Sequence, residues 1–168
     1  MKRASFSAAV LIFLFCGVLL AERPEDLIEK GQFDAACPLL EAALKKEPHS
    51  DRLKMGLVLC LLLRRDSRDY PSDLRQSLRL LEESILLYQG IPGEEKALAW
   101  RNFHAGMALW YLNQSEQALA AFDRAFRFDP ALHQALYNSI TILEELGRYE
   151  EARLRKEIYI RIAAIDPF

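Results

Sequence analysis

Two stretches of this chain, GQFDAACPLLEAALKKEP at 31–48 and NQSEQALAAFDRAFRFDP at 113–130, align without a gap. The alignment sets Ala36 on Ala118, Leu40 on Phe122, Ala43 on Ala125 and Pro48 on Pro130. Residues three and four apart share one face of a helix, so the two small residues open a seam for a neighbouring helix. The large residue fills the space between them, and the proline stops the helix. A unit of this kind cannot bury its apolar face alone and is stable only when copies stack.

Two more copies follow from the same spacing. GRYEEA at 147–152 puts Ala152 in register, and LRQSLRLLEES at 74–84 is a fainter copy carrying Ser77, Leu81 and Ser84. The anchors Ala36, Ser77, Ala118 and Ala152 are separated by 41, 41 and 34 residues, and 41 is 34 with an insertion of seven. Between the anchors apolar residues recur every three or four positions, and the alternating β-branched runs of strands are absent. Breaks fall at Gly31, EPHS (47–50), RDSRDYPSD (65–73), QGIPGEE (89–95), DP (129–130) and Gly147, which predicts about seven helices.

A helix–turn–helix period of 34 residues with this pattern resembles the tetratricopeptide repeat family. In the third unit Gly106, Leu109, Ala118, Phe122, Ala125 and Pro130 match the motif, and in the fourth Leu143, Gly147, Tyr149 and Ala152 do. Gly147 then ends one helix and permits the turn into the next, with Tyr149 packing at its start. The first unit is a half-repeat whose first helix is cut to about PEDLIEK, with Pro24 suited to a first turn. The second unit carries RDSRDYPSD between its helices and lacks both the turn glycine and the final proline. The resemblance implies an all-α, right-handed solenoid of about 3.5 repeats, a concave surface lined by the first helix of each unit, and protein–protein interaction as the role.

The N-terminus sets its own constraint. MKRASFSAAVLIFLFCGVLLA places Lys2 and Arg3 ahead of an uncharged apolar run, the pattern of a secretory signal, so residues 1–21 are read as a signal peptide and 22–168 as the repeat domain. Cleavage is expected after Ala21; the alternative is an uncleaved membrane anchor, since Ser5 to Ala21 is close to the shortest membrane span. Either outcome exports the remainder to the periplasm or cell envelope. A small residue is missing before Cys16, which argues against a lipoprotein.

The formal charge of −2, with 22 Lys and Arg against 24 Asp and Glu, offers no basic footprint for nucleic acid, and removing Lys2 and Arg3 takes it to −4. Cys37 in DAACPLL and Cys60 in LVLCLLL sit in apolar helical surroundings and read as two buried structural thiols, with a disulfide as the alternative. His49, His104 and His133 stand without ligands at metal spacing, so neither a metal nor a cofactor is expected. No nucleophile motif or glycine-rich phosphate loop points to catalysis, and pairs such as Glu150 and Glu151 read as a solvated helix face.

Candidate binding residues concentrate in the first helix of the third unit. Trp100, Phe103, Met107, Trp110 and Tyr111 are spaced 3, 4, 3 and 1 along one face, while Ala105, Gly106, Ala108, Leu109 and Leu112 form a small-residue seam for the unit's second helix. The aromatic face is read either as a groove for a guest or as core covered by the N-terminal segment or the insertions. The fourth unit adds Gln134, Tyr137, Thr141, Glu144 and Glu145 to that surface, and the second adds Arg52, Met55, Leu59, Leu62 and Leu63. Partner-binding roles therefore fall to Trp100, Phe103, Met107, Trp110, Tyr111, Tyr137, Glu144 and Glu145, and the acidic rim favours an apolar guest over an acidic one. The family's carboxylate-binding set of Lys, Arg and Asn is not reproduced. These readings describe a non-catalytic scaffold or adaptor of the cell envelope that binds a protein or peptide. The alternative is a structural subunit that assembles at a membrane through its solenoid ends, where Ile158, Ile162 and Ile165 form a stripe on the last helix and homo-oligomers would form.

Overall fold

The computed structural model describes residues 22–165, all of whose regular structure is helical. The helices are α1 (Pro24–Glu29), α2 (Phe33–Lys46), α3 (Asp51–Leu63), α4 (Tyr70–Tyr88), α5 (Glu95–Tyr111), α6 (Ser115–Phe128), α7 (His133–Glu145) and α8 (Tyr149–Ile165). Each packs mainly on the helices next to it in sequence, the quasi-linear arrangement of a solenoid. The expected signal segment lies outside the described residues. Among the described residues no helix is long and apolar enough to cross a membrane.

Among the described residues eight helices replace the seven expected, because the chain also breaks at Asn113. The turns after α1, α5 and α7 are the same structure built three times. Gly31, Asn113 and Gly147 take φ of 71°, 60° and 72°, and the residue after each donates its N–H to a carbonyl five positions back: Gln32 to Leu27 (2.8 Å), Gln114 to Leu109 (2.9 Å) and Arg148 to Leu143 (2.8 Å). This left-handed cap satisfies carbonyls that a helix end leaves open, and asparagine is the side-chain-bearing residue that tolerates it best. Asn113 aligns with Gly31, so the repeat itself held the missing break.

The second unit deviates less than its sequence suggests. RDSRDYPSD is not a loop throughout: Tyr70 and Pro71 open α4, and the side chain of Asp69 accepts from the Ser72 N–H at 3.3 Å. With 19 residues against 14 in α2 and α6, α4 absorbs much of the insertion as extra helix. Arg64 at the end of α3 grips Asp73 with two bonds of 2.9 Å, which fixes the short connection.

Three apolar clusters run along the stack. The first joins α1, α2 and α3 through Leu27, Ala36, Leu40, Leu53, Leu57 and Leu61. The second joins α3, α4 and α5 through Val58, Leu62, Leu74, Leu81, Ala105 and Ala108. The third joins α5 to α8 through Phe103, Ala118, Phe122, Leu136, Leu143 and Ala152. The anchors Ala36, Ser77, Ala118 and Ala152 are all buried, as the seam requires.

Two features correct the sequence reading. Cys37 and Cys60 are not separate thiols: they form a disulfide with Cα atoms 5.8 Å apart, inside the first cluster. Stacking α3 against α2 turns both cysteines onto the shared face, which neither local sequence reveals. Leu62, expected on the open surface, is buried among Val58, Leu74 and Leu81, with the Tyr70 hydroxyl donating to its carbonyl at 2.7 Å.

The terminal stripe divides. Ile162 packs on the third cluster, Ile158 stays exposed, and the side chain of Ile165 lies outside the described residues. Beside the stripe, Arg155 forms two bonds with Asp123 of α6, at 2.5 and 2.9 Å.

Candidate functional site

Helix α5 carries apolar side chains on nearly every side because it has packed neighbours on two of them. Ala105 and Ala108 belong to the cluster with Val58, Leu62, Leu74 and Leu81 of the second unit, so the small-residue face of α5 also serves the preceding repeat. Gly106 faces forward, and a Cβ there would stand 2.7 Å from the Phe122 ring, so glycine is what lets α6 approach.

A cleft of about 360 Å³ opens between α5, α7 and Tyr159 of α8. Phe103, Met107, Trp110 and Tyr111 line it from α5, Gln134, Tyr137 and Asn138 from α7, and Tyr159 from α8. Five of the eight residues expected to bind a partner therefore meet in one place. Phe103 is its floor, 8% exposed and against the Phe122 ring at 5.6 Å, whereas Tyr137 is a wall at 56% exposure. Trp110 is half-buried and stacks on Tyr111, the rings 11° from parallel.

The other three residues are placed differently. Glu145 reaches the cleft through Trp110, whose indole N–H donates to its Oε2 at 3.0 Å. Glu144 is exposed and does not line the cleft. Trp100 also lies outside the lining, 44% exposed and stacked on His104. Burial pushes the His104 imidazole down to about 4, with the Trp100 carbonyl raising it part of the way and Arg101 lowering it further. The ring is neutral at pH 7.

Tyr111 belongs to both readings of the aromatic face. Tyr70 of the insertion lies 6.2 Å from it, and Arg65 sits over its ring at 4.9 Å while hydrogen-bonding its hydroxyl. The insertion thus covers one side of Tyr111 and leaves the other to the cleft. Of the surface expected from the second unit, Arg52 and Leu63 are exposed, Met55 and Leu59 half-buried and Leu62 buried.

Asn138 and Tyr159 are cleft residues the sequence reading did not name. The signal for Tyr159 was present. Seven positions after the anchor the first three units carry Ala43, Ser84 and Ala125, small so that another helix can approach, and the fourth carries Tyr159. No further described helix packs on α8, so a large ring fits and reaches Tyr137 at 6.0 Å.

A buried polar cluster behind the cleft also escaped the sequence. Arg101 of α5 pairs with Asp51 at the start of α3, donates to the Ser84 hydroxyl at 2.6 Å and the Ala97 carbonyl at 2.8 Å, and lies over the Tyr88 ring at 4.1 Å. The Tyr88 hydroxyl donates to Asp51 at 3.1 Å. These contacts fix α5 against the second unit and so set the position of the cleft's floor.

Comparison with known proteins agrees with this architecture. Two tetratricopeptide repeat models match, over residues 27–68 and 103–164. The crystal structure of MamA superposes with a TM-score of 0.67 at 20% identity, covering 84% of this chain and 74% of that one. Residues 41 to the end of MamA from Desulfovibrio magneticus RS-1 give 0.72 at 15% identity, covering 86% and 74%. MamA from AMB-1 gives 0.67 at 19%, covering 84% and 75%. At these identities the likeness concerns the fold alone. No curated protein sequence gives a significant match. With the anchor of the seam buried in each unit, the left-handed caps repeated between paired helices and residues 27–68 and 103–164 matched by the repeat models, this right-handed helical solenoid belongs to the tetratricopeptide repeat family.

Proposed function

We propose that this protein is an exported, non-catalytic adaptor of the cell envelope that seats an apolar segment of a partner polypeptide in the cleft between α5 and α7. At the coarser level the fold is a protein–protein interaction scaffold, since a solenoid of this family offers an extended surface and rigid stacked helices. The cleft carries the finer reading. It gathers Phe103, Met107, Trp110, Tyr111, Tyr137 and Tyr159, and aromatic side chains supply large contact area at low cost in rotamer freedom. Gln134 and Asn138, one turn apart on α7, offer amide donors and acceptors that suit a peptide backbone. Lys2, Arg3 and the apolar run after them support export, and the Cys37–Cys60 disulfide suits an oxidising compartment.

A photocrosslinking amino acid at Tyr137 tests the reading, with the same group at exposed Leu86 on α4 as the control. Expected is a discrete adduct in envelope preparations from Tyr137 only. Adducts of equal yield from both positions would remove the cleft as the binding surface. The solenoid-end alternative has one specific observation in its favour, the exposed pair Leu154 and Ile158 on α8. It predicts crosslinks from Ile158 to a second copy of the chain.

A further inference from the structure

The chemistry of the cleft specifies its occupant beyond "apolar". Trp110, Tyr111, Tyr137 and Tyr159 line it together with Phe103, and among the described residues no Lys or Arg lines it. The faces of such rings carry negative potential and attract a cation within about 6 Å. At the rim, Glu145 is held by the Trp110 indole N–H through Oε2. A carboxylate accepts several hydrogen bonds, so Oε1 retains its capacity.

The same combination already holds a guanidinium elsewhere in the molecule. Arg101 lies over the Tyr88 ring and pairs with Asp51, a ring face and a carboxylate acting on one cation. Arg65 over Tyr111 is a further cation held on a ring face, on the side of that ring that the insertion covers. Rings line the cleft and the Glu145 carboxylate stands at its rim on Trp110, while the described lining residues include no cation.

Resting on the cleft reading above, we propose that the site recognises a basic side chain, lysine or arginine, carried within an apolar segment of the partner. The flanking apolar residues would contact Met107 and Phe103, while the cation lies against the aromatic lining beside Trp110 and pairs with Glu145 at the rim. A basic residue gains an ion pair with Glu145 that an uncharged segment cannot make and an acidic one is repelled by, so the site discriminates by charge as well as by shape.

The two tryptophans make the test direct, because Trp110 lines the cleft and Trp100 does not. The full chain is titrated with acetyl-Leu-Lys-Leu-amide and with the same peptide carrying norleucine or glutamate in place of lysine, following both indole N–H resonances by NMR. The expected result is a saturable shift of the Trp110 resonance alone, with the lysine peptide binding at least tenfold more tightly than either analogue. Glu145→Gln should cut that preference at least fivefold, leave norleucine-peptide affinity within twofold, and leave the melting temperature unchanged. Equal binding of the lysine and norleucine peptides at Trp110 overturns the cation inference while the cleft reading stands. If no peptide moves the Trp110 resonance, both fall together.

Discussion

Arg101 and Asp51 are 50 residues apart in sequence and form an ion pair that ties α5 to the first turn of α3. Ser84 and Tyr88 bind the same pair from α4, so one guanidinium joins three helices across two repeats. Removing one member leaves the other charge poorly compensated, which costs about 3 kcal/mol in a buried pair. Arg101→Ala is expected to lower unfolding free energy by about that amount in urea titrations. The double variant with Asp51→Ala should lose clearly less than the sum of the two single losses.

Gly106 and Gly147 are both glycine for different reasons, and alanine separates them. At Gly106 a Cβ meets the fully buried Phe122 ring at 2.7 Å, so Gly106→Ala forces the core to shift and should cost about 1–3 kcal/mol. At Gly147 nothing lies within 4 Å, but φ is 72°, so Gly147→Ala should cost about 1 kcal/mol through backbone strain alone. Asn113→Gly should be neutral or stabilising at the equivalent cap. A larger loss at Gly147 than at Gly106 in thermal melts would contradict this assignment.

The Cys37–Cys60 disulfide closes a loop with a sequence separation of 23 and lies in the first apolar cluster. Loop-closure entropy assigns such a link about 3 kcal/mol. Reduction, or Cys37→Ser with Cys60→Ser, should destabilise α1 to α3 first, read as faster amide exchange there than in α5 to α8. Intact-mass analysis under non-reducing conditions should find neither thiol available to alkylation in folded protein.

His104 makes stability depend on pH. Burial holds its folded pKa at about 4, below the ordinary 6.5, so the unfolded chain binds the proton first. Its contribution is complete above pH 6.5, falls as pH drops, and is lost below about pH 4. Between pH 7 and 4.5 wild type should lose about 2 kcal/mol more than His104→Phe in paired urea titrations. Parallel pH profiles for the two proteins would show that the imidazole is not the group responsible.

The helical repeat was legible in the chain because its information is local. A seam of Ala36, Leu40 and Ala43 dictates one helix face within three turns, and the same spacing at Ala118, Phe122 and Ala125 carries the register across 82 residues. Even the eighth helix was implied, since Asn113 occupies the position of Gly31. The aromatic run on α5 was equally visible, but not which of its rings meet. Stacking decided that: Trp100 turned away beside His104, Tyr111 was shared with the insertion, and Tyr159 arrived from α8. The disulfide and the Arg101–Asp51 pair belong to the same class. A residue's face on its own helix follows from a period of 3.6, whereas its partner on another helix depends on how far and at what angle the two helices approach, and only the packed solenoid settles that.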